Sequence, residues 1–169
     1  QITRPGSITN LVVRPRQAGP LPKLRFRQVE LRVQAAGLNF RDVLNVLDLD
    51  PTRTIRPLGL ECAAVVGGVA DNVQHIQSRD GVFGIAMGCL ASTVQTDARL
   101  QVRIPPALLF EEACTLPILW CTIRLALGEC TQLASHQHLL IHAASGGVGL
   151  VALEFTQHVG AAAHGSICL

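Results

Sequence analysis

The sequence has no tyrosine, and aromatic side chains make up only 4% of its residues. Charged residues are also few, at 15%, and the formal net charge is +2. A net charge this small gives no reason to expect a nucleic-acid or membrane-surface partner. No apolar run approaches the roughly 20 residues that cross a bilayer, so we expect no membrane span. Residues 1–6 are not typical of a signal peptide and include no initiator methionine, so we expect a cytoplasmic piece of a longer protein.

Metal-binding patterns are missing as well. The six cysteines form no C-x-x-C pair, and the six histidines are dispersed along the chain. A free cysteine in apolar surroundings behaves as a small hydrophobic residue. We therefore expect no metal site and reduced thiols in the core, namely Cys62, Cys89, Cys114, Cys121, Cys130 and Cys168.

What the chain does contain is enough apolar sequence, 49%, for a sizeable core. Apolar and polar side chains alternate over residues 29–35, a pattern typical of a half-buried strand. Asn39 can cap a short helix that follows, whose apolar face would comprise Phe40, Val43, Leu44 and Leu47. Further strands are expected at residues 61–69, 82–85 and 100–104.

Helical patterns take over after Pro105-Pro106. Residues 110–116 and 118–127 favour helices, with Pro117 between them. A strand at residues 139–141, a second helix and a second parallel strand at residues 161–167 would follow. We therefore expect two domains, a β-rich one at 1–105 and the beginning of an α/β one at 106–169.

The strand at 139–141 runs into a glycine-rich turn, Ser145-Gly146-Gly147-Val148-Gly149. A strand, a tight turn and a helix in this order present backbone N–H groups and a helix N-terminus to a phosphate. The strict sequence fingerprint of a dinucleotide-binding turn is G-x-G-x-x-G. Two frames come close to it, Ala144/Gly146/Gly149 and Gly147/Gly149/Ala152, so the turn predicts a dinucleotide site while a plain βα connection stays open.

Residues 37–44, GLNFRDVL, resemble the signature of enoyl reductase domains in modular polyketide synthases. These domains belong to the zinc-independent medium-chain reductases. They are related to the enoyl reductase of animal fatty acid synthase. The similarity continues in register through residues 6–8, 59–63, 80–84 and 111–113. It includes HAASGGVG at 142–149 and HVGA at 158–161, and so extends over essentially the whole chain.

The resemblance implies a GroES-like partial barrel followed by the start of a Rossmann-type nucleotide-binding domain. It implies reduction of an α,β-enoyl thioester by NADPH, with the substrate carried on an acyl carrier protein within a homodimeric megasynthase. The family's cofactor-binding positions correspond here to Asn39, Thr122, Ala144, Ser145, Gly146, Gly147, Val148 and Gly149. Zinc-dependent relatives have ligands where this chain has Asn39 and Leu60, so a metal-free reductase is implied.

The chain also departs from the family pattern. Many members have a tyrosine before the loop proline that follows GLNFRDVL, where this chain has Asp50 before Pro51. An exposed carboxylate with an ordinary pKa would be a poor proton donor at neutral pH, so the catalytic residues stay unknown. A quinone oxidoreductase and a non-catalytic, architectural remnant both stay open as alternatives. On its own the chain is expected to be inactive, poorly soluble and weak in NADPH binding.

Overall fold

The computed structural model describes residues 2, 4, 6–15, 22–50 and 56–167. The chain forms two compact units, Gln1–Thr115 and Leu116–Leu169. The sequence placed the division after residue 105, whereas the first compact unit continues to Thr115. The mixed α/β class expected from the sequence is confirmed.

The first unit is built on an antiparallel sheet. Among the described residues five strands pair in the order β4-β1-β2-β3-β5. They are β1 (Gln28–Gly37), β2 (Glu61–Val69), β3 (Gly81–Ile85), β4 (Thr93–Asp97) and β5 (Gln101–Arg103). Strand β4 was not expected from the sequence, and the strand expected at 100–104 begins one residue later, since Ala98–Leu100 forms a 3-10 turn.

Buried apolar residues alternate with more exposed polar residues along β1, and the buried ones form part of the core of this sheet. Val29 and Leu31 are fully buried, while Arg32 and Gln34 are exposed, as the sequence pattern predicted. They pack in a cluster with apolar side chains of β2 and β3, including Cys62, Ala64, Val66 and Val82. A short helix, α2 (Phe110–Ala113), closes this unit and buries Ala113 against Ala63.

Helix α1 (Phe40–Val46) is buried differently from the expected apolar face, of which only Leu44 and Leu47 are half-buried. Phe40 is 75% exposed and Val43 is 43% exposed, whereas the polar residues Asp42 and Asn45 are each only 6% exposed. The cause is hydrogen bonding to main-chain groups: Asp42 accepts from the Gly59 N–H, and Asn45 donates to a carbonyl oxygen in the next segment. The expected apolar face was therefore wrong for Phe40 and Val43, while Leu44 and Leu47 are half-buried.

The second unit contains one strand–helix–strand element. Strand β6 (His138–His142) leads through the glycine turn into α4 (Gly147–Val159), and β7 (Ala162–Ser166) then pairs with β6 in parallel. Helix α3 (Pro117–Ile123) packs on α4 and has proline in its first turn, where the missing N–H costs nothing. The rest of the helix expected at 118–127 is π-helical, over Arg124–Cys130.

The helical stretch Phe110–Cys130 is, by length and composition, apolar enough to cross a membrane, contrary to the expectation that no stretch approaches that length. Its mean hydropathy is 1.3 over the most apolar window. Helices in the core of ordinary globular domains pass the same test, so this feature alone is weak support for a membrane span.

The cysteines divide into two groups. Cys62, Cys89 and Cys114 are free and buried, and burial raises the pKa of the Cys114 thiol. Cys121 and Cys130 are free but exposed, so the expectation of core positions was wrong for these two. Cys168 lies outside the described residues.

Candidate functional site

The turn between β6 and α4 is shaped by two main-chain hydrogen bonds. The Ala144 N–H donates to the Ser166 carbonyl at 3.0 Å, which ties the turn to the end of β7, and the Gly146 N–H donates to the Ala143 carbonyl at 3.0 Å. Ala143 itself has a φ of 54°, the left-handed region that is uncommon for residues other than glycine. Strained main chain of this kind often accompanies functional sites.

Three amides at the start of α4 are free of helical acceptors. The first N–H group that reaches a helical carbonyl is that of Leu150, which donates to the Gly146 oxygen at 2.9 Å. The N–H groups of Gly147, Val148 and Gly149 precede it and have no carbonyl one turn back within the helix. Together with the helix dipole, such groups favour an anion, above all a phosphate.

The glycines of the turn have different physical roles. A Cβ on Gly149 would lie 2.6 Å from both the Ala143 oxygen and the Ala144 Cα, so this glycine allows α4 to pack against the turn. Gly146 and Gly147 are exposed. A Cβ on Gly146 would lie 3.3 Å from the Ala143 oxygen, and a Cβ on Gly147 would lie 3.1 Å from Leu119 Cδ1. Glycine at both positions therefore keeps the turn tight while its main chain stays exposed, as a diphosphate site requires.

A cavity of about 450 Å³ lies against this turn. Four of the predicted residues line it, Gly146, Gly147, Val148 and Gly149. The rest of its wall comes from residues that the sequence analysis did not propose as cofactor-binding: Ile123, Leu127, Leu139, Leu140, Ile141, His142, Ala143 and Ala152. Ile123 and Leu127 belong to no motif, whereas the others lie in the predicted strand, in the HAASGGVG stretch or in the second glycine frame.

Three other predicted residues of this unit do not line the cavity. Ala144 is buried beneath the turn, and Ser145 is exposed within it. Thr122 is exposed on α3, and its hydroxyl donates to the Ile118 carbonyl at 2.7 Å, one turn back along its own helix. This bond corresponds to the local structural role that threonine often takes in helices.

In the first unit, Asn39 begins α1 with extended main chain, but its side chain makes no cap hydrogen bond to the helix. Its Nδ2 instead donates to Glu61 Oε1 at 2.9 Å. The helix cap is supplied by Asp42, whose Oδ2 accepts the Asn39 N–H at 3.2 Å. The sequence analysis missed both carboxylates, although an acidic residue three positions after an N-cap is a recognised signal for the reciprocal bond.

A set of imidazoles lies on the exposed side of the β6–β7 pair. His138 Nδ1 and His164 Nε2 are 3.1 Å apart, and His142 Nδ1 lies 3.0 Å from the Ser166 hydroxyl. The part of the chain that the structure describes contains no group of three or more histidine, cysteine or acidic side chains placed to hold a metal ion.

The turn fits the phosphate part of a dinucleotide. Three N–H groups without helical acceptors, two exposed glycines and an adjoining cavity supply what a diphosphate needs, namely donors and close approach. The described residues at the end of β7 include no carboxylate that would repel a ribose 2′-phosphate.

Comparison with known proteins gives the resemblance independent support. The highly reducing polyketide synthase ZEA2 of Gibberella zeae is 37% identical over 147 residues, which make up 87% of this chain and 6% of that protein. It is one of several polyketide synthases at 33–38% identity. No protein-family model matches the chain.

Solved structures show the same fold. The CurK enoyl reductase is 33% identical with a TM-score of 0.88, and the match covers 99% of this chain and 53% of that one. The Escherichia coli quinone oxidoreductase, solved with NADPH, is 30% identical with a TM-score of 0.67 over 83% of this chain and 44% of that one. The chain thus spans about half the length of the reductases it matches, and the expected resemblance to polyketide synthase enoyl reductases is confirmed.

Proposed function

We propose that this chain, whose homologues are polyketide synthases and whose structural neighbours are enoyl reductases, is the part of an NADPH-dependent enoyl reductase domain that holds the cofactor's diphosphate. The observation that carries the proposal is the set of three N–H groups, on Gly147, Val148 and Gly149, at the wall of the cavity beside β6. They offer a diphosphate hydrogen bonds and the positive end of a helix dipole.

The chemistry belongs to the cofactor, and the protein supplies placement. NADPH, when bound, supplies a hydride to the β-carbon of an α,β-enoyl thioester, and a proton then adds to the α-carbon. The residues of this chain hold the diphosphate at the start of α4, while the apolar side chains of Ile123, Leu139 and Ile141 keep water from the adjoining cavity. We assign no catalytic acid to this chain.

The proposed cofactor contacts also include four residues that do not line the cavity: Asn39, Thr122, Ala144 and Ser145. Asn39 has a side chain that is half-buried and not used for capping, which suits contact with the nicotinamide or its ribose. Ala144 acts through the turn that it anchors, and Ser145 and Thr122 offer exposed hydroxyl groups. NADPH is favoured over NADH by the NADPH complex of the Escherichia coli relative.

The polyketide synthase homologues suggest the partners. An acyl carrier protein would deliver the thioester, and the other domains of a homodimeric, cytoplasmic megasynthase would flank the reductase.

The test uses the full polypeptide that carries this chain. We expect oxidation of NADPH, followed by its absorbance, when a crotonyl thioester is added. Gly147→Asp should weaken NADPH binding by more than 10-fold, because it sets a carboxylate against the diphosphate. Gly68→Ala, whose Cβ would lie 3.6 Å from a flexible leucine end on the first unit, is the matched control.

The structural neighbours also include quinone oxidoreductases, which supports a second candidate, NADPH-dependent reduction of a quinone. Oxidation of NADPH with a quinone and not with the enoyl thioester would favour that activity. Tight NADPH binding without turnover of either substrate would point to the architectural role, and failure to bind NADPH would refute the proposed function.

A further inference from the structure

The start of α1 and the start of β2 are joined by two buried carboxylates, Asp42 and Glu61, which are 6% and 4% exposed. We propose that Glu61 is a positioning residue: its carboxylate fixes the Asn39 amide in one orientation, with Oδ1 on the side away from Glu61, ready to accept a hydrogen bond from an N–H or O–H donor of the ligand. The carboxamide and the ribose hydroxyl groups of a nicotinamide cofactor are donors of this class. The inference rests on the proposed function and extends it.

The orientation of Asn39 follows from the chemistry of its partner. An asparagine amide has one end that donates and one end that accepts, and the two ends have nearly the same shape. An ionised carboxylate only accepts hydrogen bonds. Since Glu61 Oε1 lies 2.9 Å from Asn39 Nδ2, turning the amide over would place two oxygens against each other. Glu61 therefore selects which end of Asn39 remains for a ligand.

The backbone around Glu61 is adapted to this placement. Gly37 pairs directly with Glu61 across β1 and β2. A Cβ on Gly37 would lie 2.7 Å from both Cγ and Oε1 of Glu61, and 2.8 Å from the Cys114 carbonyl oxygen. The Glu61 side chain thus crosses the β1 backbone at Gly37, two positions before Asn39. Only glycine leaves room for it there.

Asp42 fixes the main chain of the same residue. Its Oδ2 accepts the Asn39 N–H at 3.2 Å and its Oδ1 accepts the Gly59 N–H at 2.8 Å. Two carboxylates therefore hold Asn39, one through its backbone and one through its side chain. A purely structural N-cap would need only the first contact and would direct the asparagine side chain to the helix, which Asn39 does not do.

The contact is tested first in the full polypeptide with labelled asparagine, by NMR of the Asn39 side-chain amide, assigned by its loss in Asn39→Asp. We expect its protons to exchange more slowly with solvent than those of Asn72, an exposed turn residue. Glu61→Ala should remove that protection. Glu61→Gln, nearly the same shape, should leave it partial, because Gln can face either end of the Asn39 amide. Glu111→Gln, at an exposed position of α2, should change nothing.

The functional arm uses the full polypeptide. We expect Glu61→Ala and Asn39→Ala each to lower kcat for enoyl-thioester reduction by about 10- to 100-fold, since small misplacement of reacting groups costs that much. The double variant should be no worse than either single one, because both remove the same interaction. Glu61→Gln should lie between wild type and Glu61→Ala, while Glu111→Gln should match wild type.

Each arm can overturn the proposal separately. Unprotected Asn39 amide protons in the wild-type chain, or protection that survives both Glu61 variants, would refute the contact. Full activity in Glu61→Gln together with additive losses in the double variant would refute the positioning role. If the wild-type polypeptide reduces no enoyl thioester, the proposed function fails, and the NMR result still decides whether Glu61 orients Asn39. Should Glu61→Ala fail to fold, Glu61→Gln carries both arms.

Discussion

The pKa of Asp97 is determined mainly by one neighbouring residue, Arg99. The Arg99 side chain donates to both oxygens of its carboxylate, and the Arg99 backbone N–H donates to Oδ1 at 2.9 Å. These contacts, the side-chain hydrogen bond first, lower the pKa of Asp97 from its usual 3.8 to about 2. Because the folded pKa lies below the unfolded one, any stabilisation from this pair is present above pH 3.8 and is lost as the pH falls towards 2.

We predict that Arg99→Gln raises the pKa of Asp97 without returning it to 3.8, because the backbone N–H bond remains. The measurement is an NMR titration of the Asp97 carboxyl carbon. Arg124→Gln, which breaks an exposed ion pair to Glu129 in the second unit, serves as the control and should leave the Asp97 midpoint unchanged. An unchanged midpoint in Arg99→Gln would contradict the assignment. The pair is too exposed for a measurable effect on the free energy of unfolding.

Individual glycines of the candidate site could be predicted from the sequence only in part. The cluster Gly146, Gly147 and Gly149 has a spacing that points to a phosphate turn, and these residues do line a cavity. The sequence could not separate Gly149, which is required for packing, from the two exposed glycines. Nor could it indicate Ala143, because nothing in an alanine signals a left-handed backbone.

Helix α1 shows why patterns can mislead at the level of an element. Its apolar residues at positions 40, 43, 44 and 47 have helical spacing, yet Phe40 and Val43 are exposed and Asp42 is buried. Hydrogen bonds from buried polar groups to main-chain atoms determine the buried face, and such partners lie in segments distant in sequence. Strand β4 was not predicted because Thr93–Asp97 contains a single strongly apolar residue, Val94, and so has no clear strand pattern.

We predict that the polar face of α1 contributes more to stability than its apolar face. Asp42→Ala leaves the N–H groups of Asn39 and Gly59 without their acceptor and should lower the free energy of unfolding by about 2–3 kcal/mol, typical of lost hydrogen bonds to a charged group. Phe40→Ser, at a position 75% exposed, should change it by less than about 0.5 kcal/mol. Urea unfolding followed by circular dichroism measures both, and a larger loss in Phe40→Ser than in Asp42→Ala would contradict the prediction.

At the scale of the whole molecule, the order of elements was predictable and their limits were not. The change from strand to helix patterns after Pro105 and the strand–turn–helix at 138–159 are local signals, and both correspond to the structure. The first unit nevertheless extends to Thr115, because α2 packs on β1 and β2 through Ala113 and Cys114. Contacts of this kind join residues more than about 40 positions apart in sequence, and no local pattern can reveal them.

Strands β6 and β7 expose their outer edges, because within the described residues they pair only with each other. Leu140, in the middle of β6, is 63% exposed. Unpaired edges with apolar side chains promote association between chains. We predict that the isolated chain self-associates as its concentration rises, measured by sedimentation velocity, and that Leu140→Lys shifts it towards monomer. Leu100→Lys, at an exposed leucine of the first unit that belongs to neither strand, should not do so. A monodisperse monomer across the concentration range would show that these edges are not sites of association.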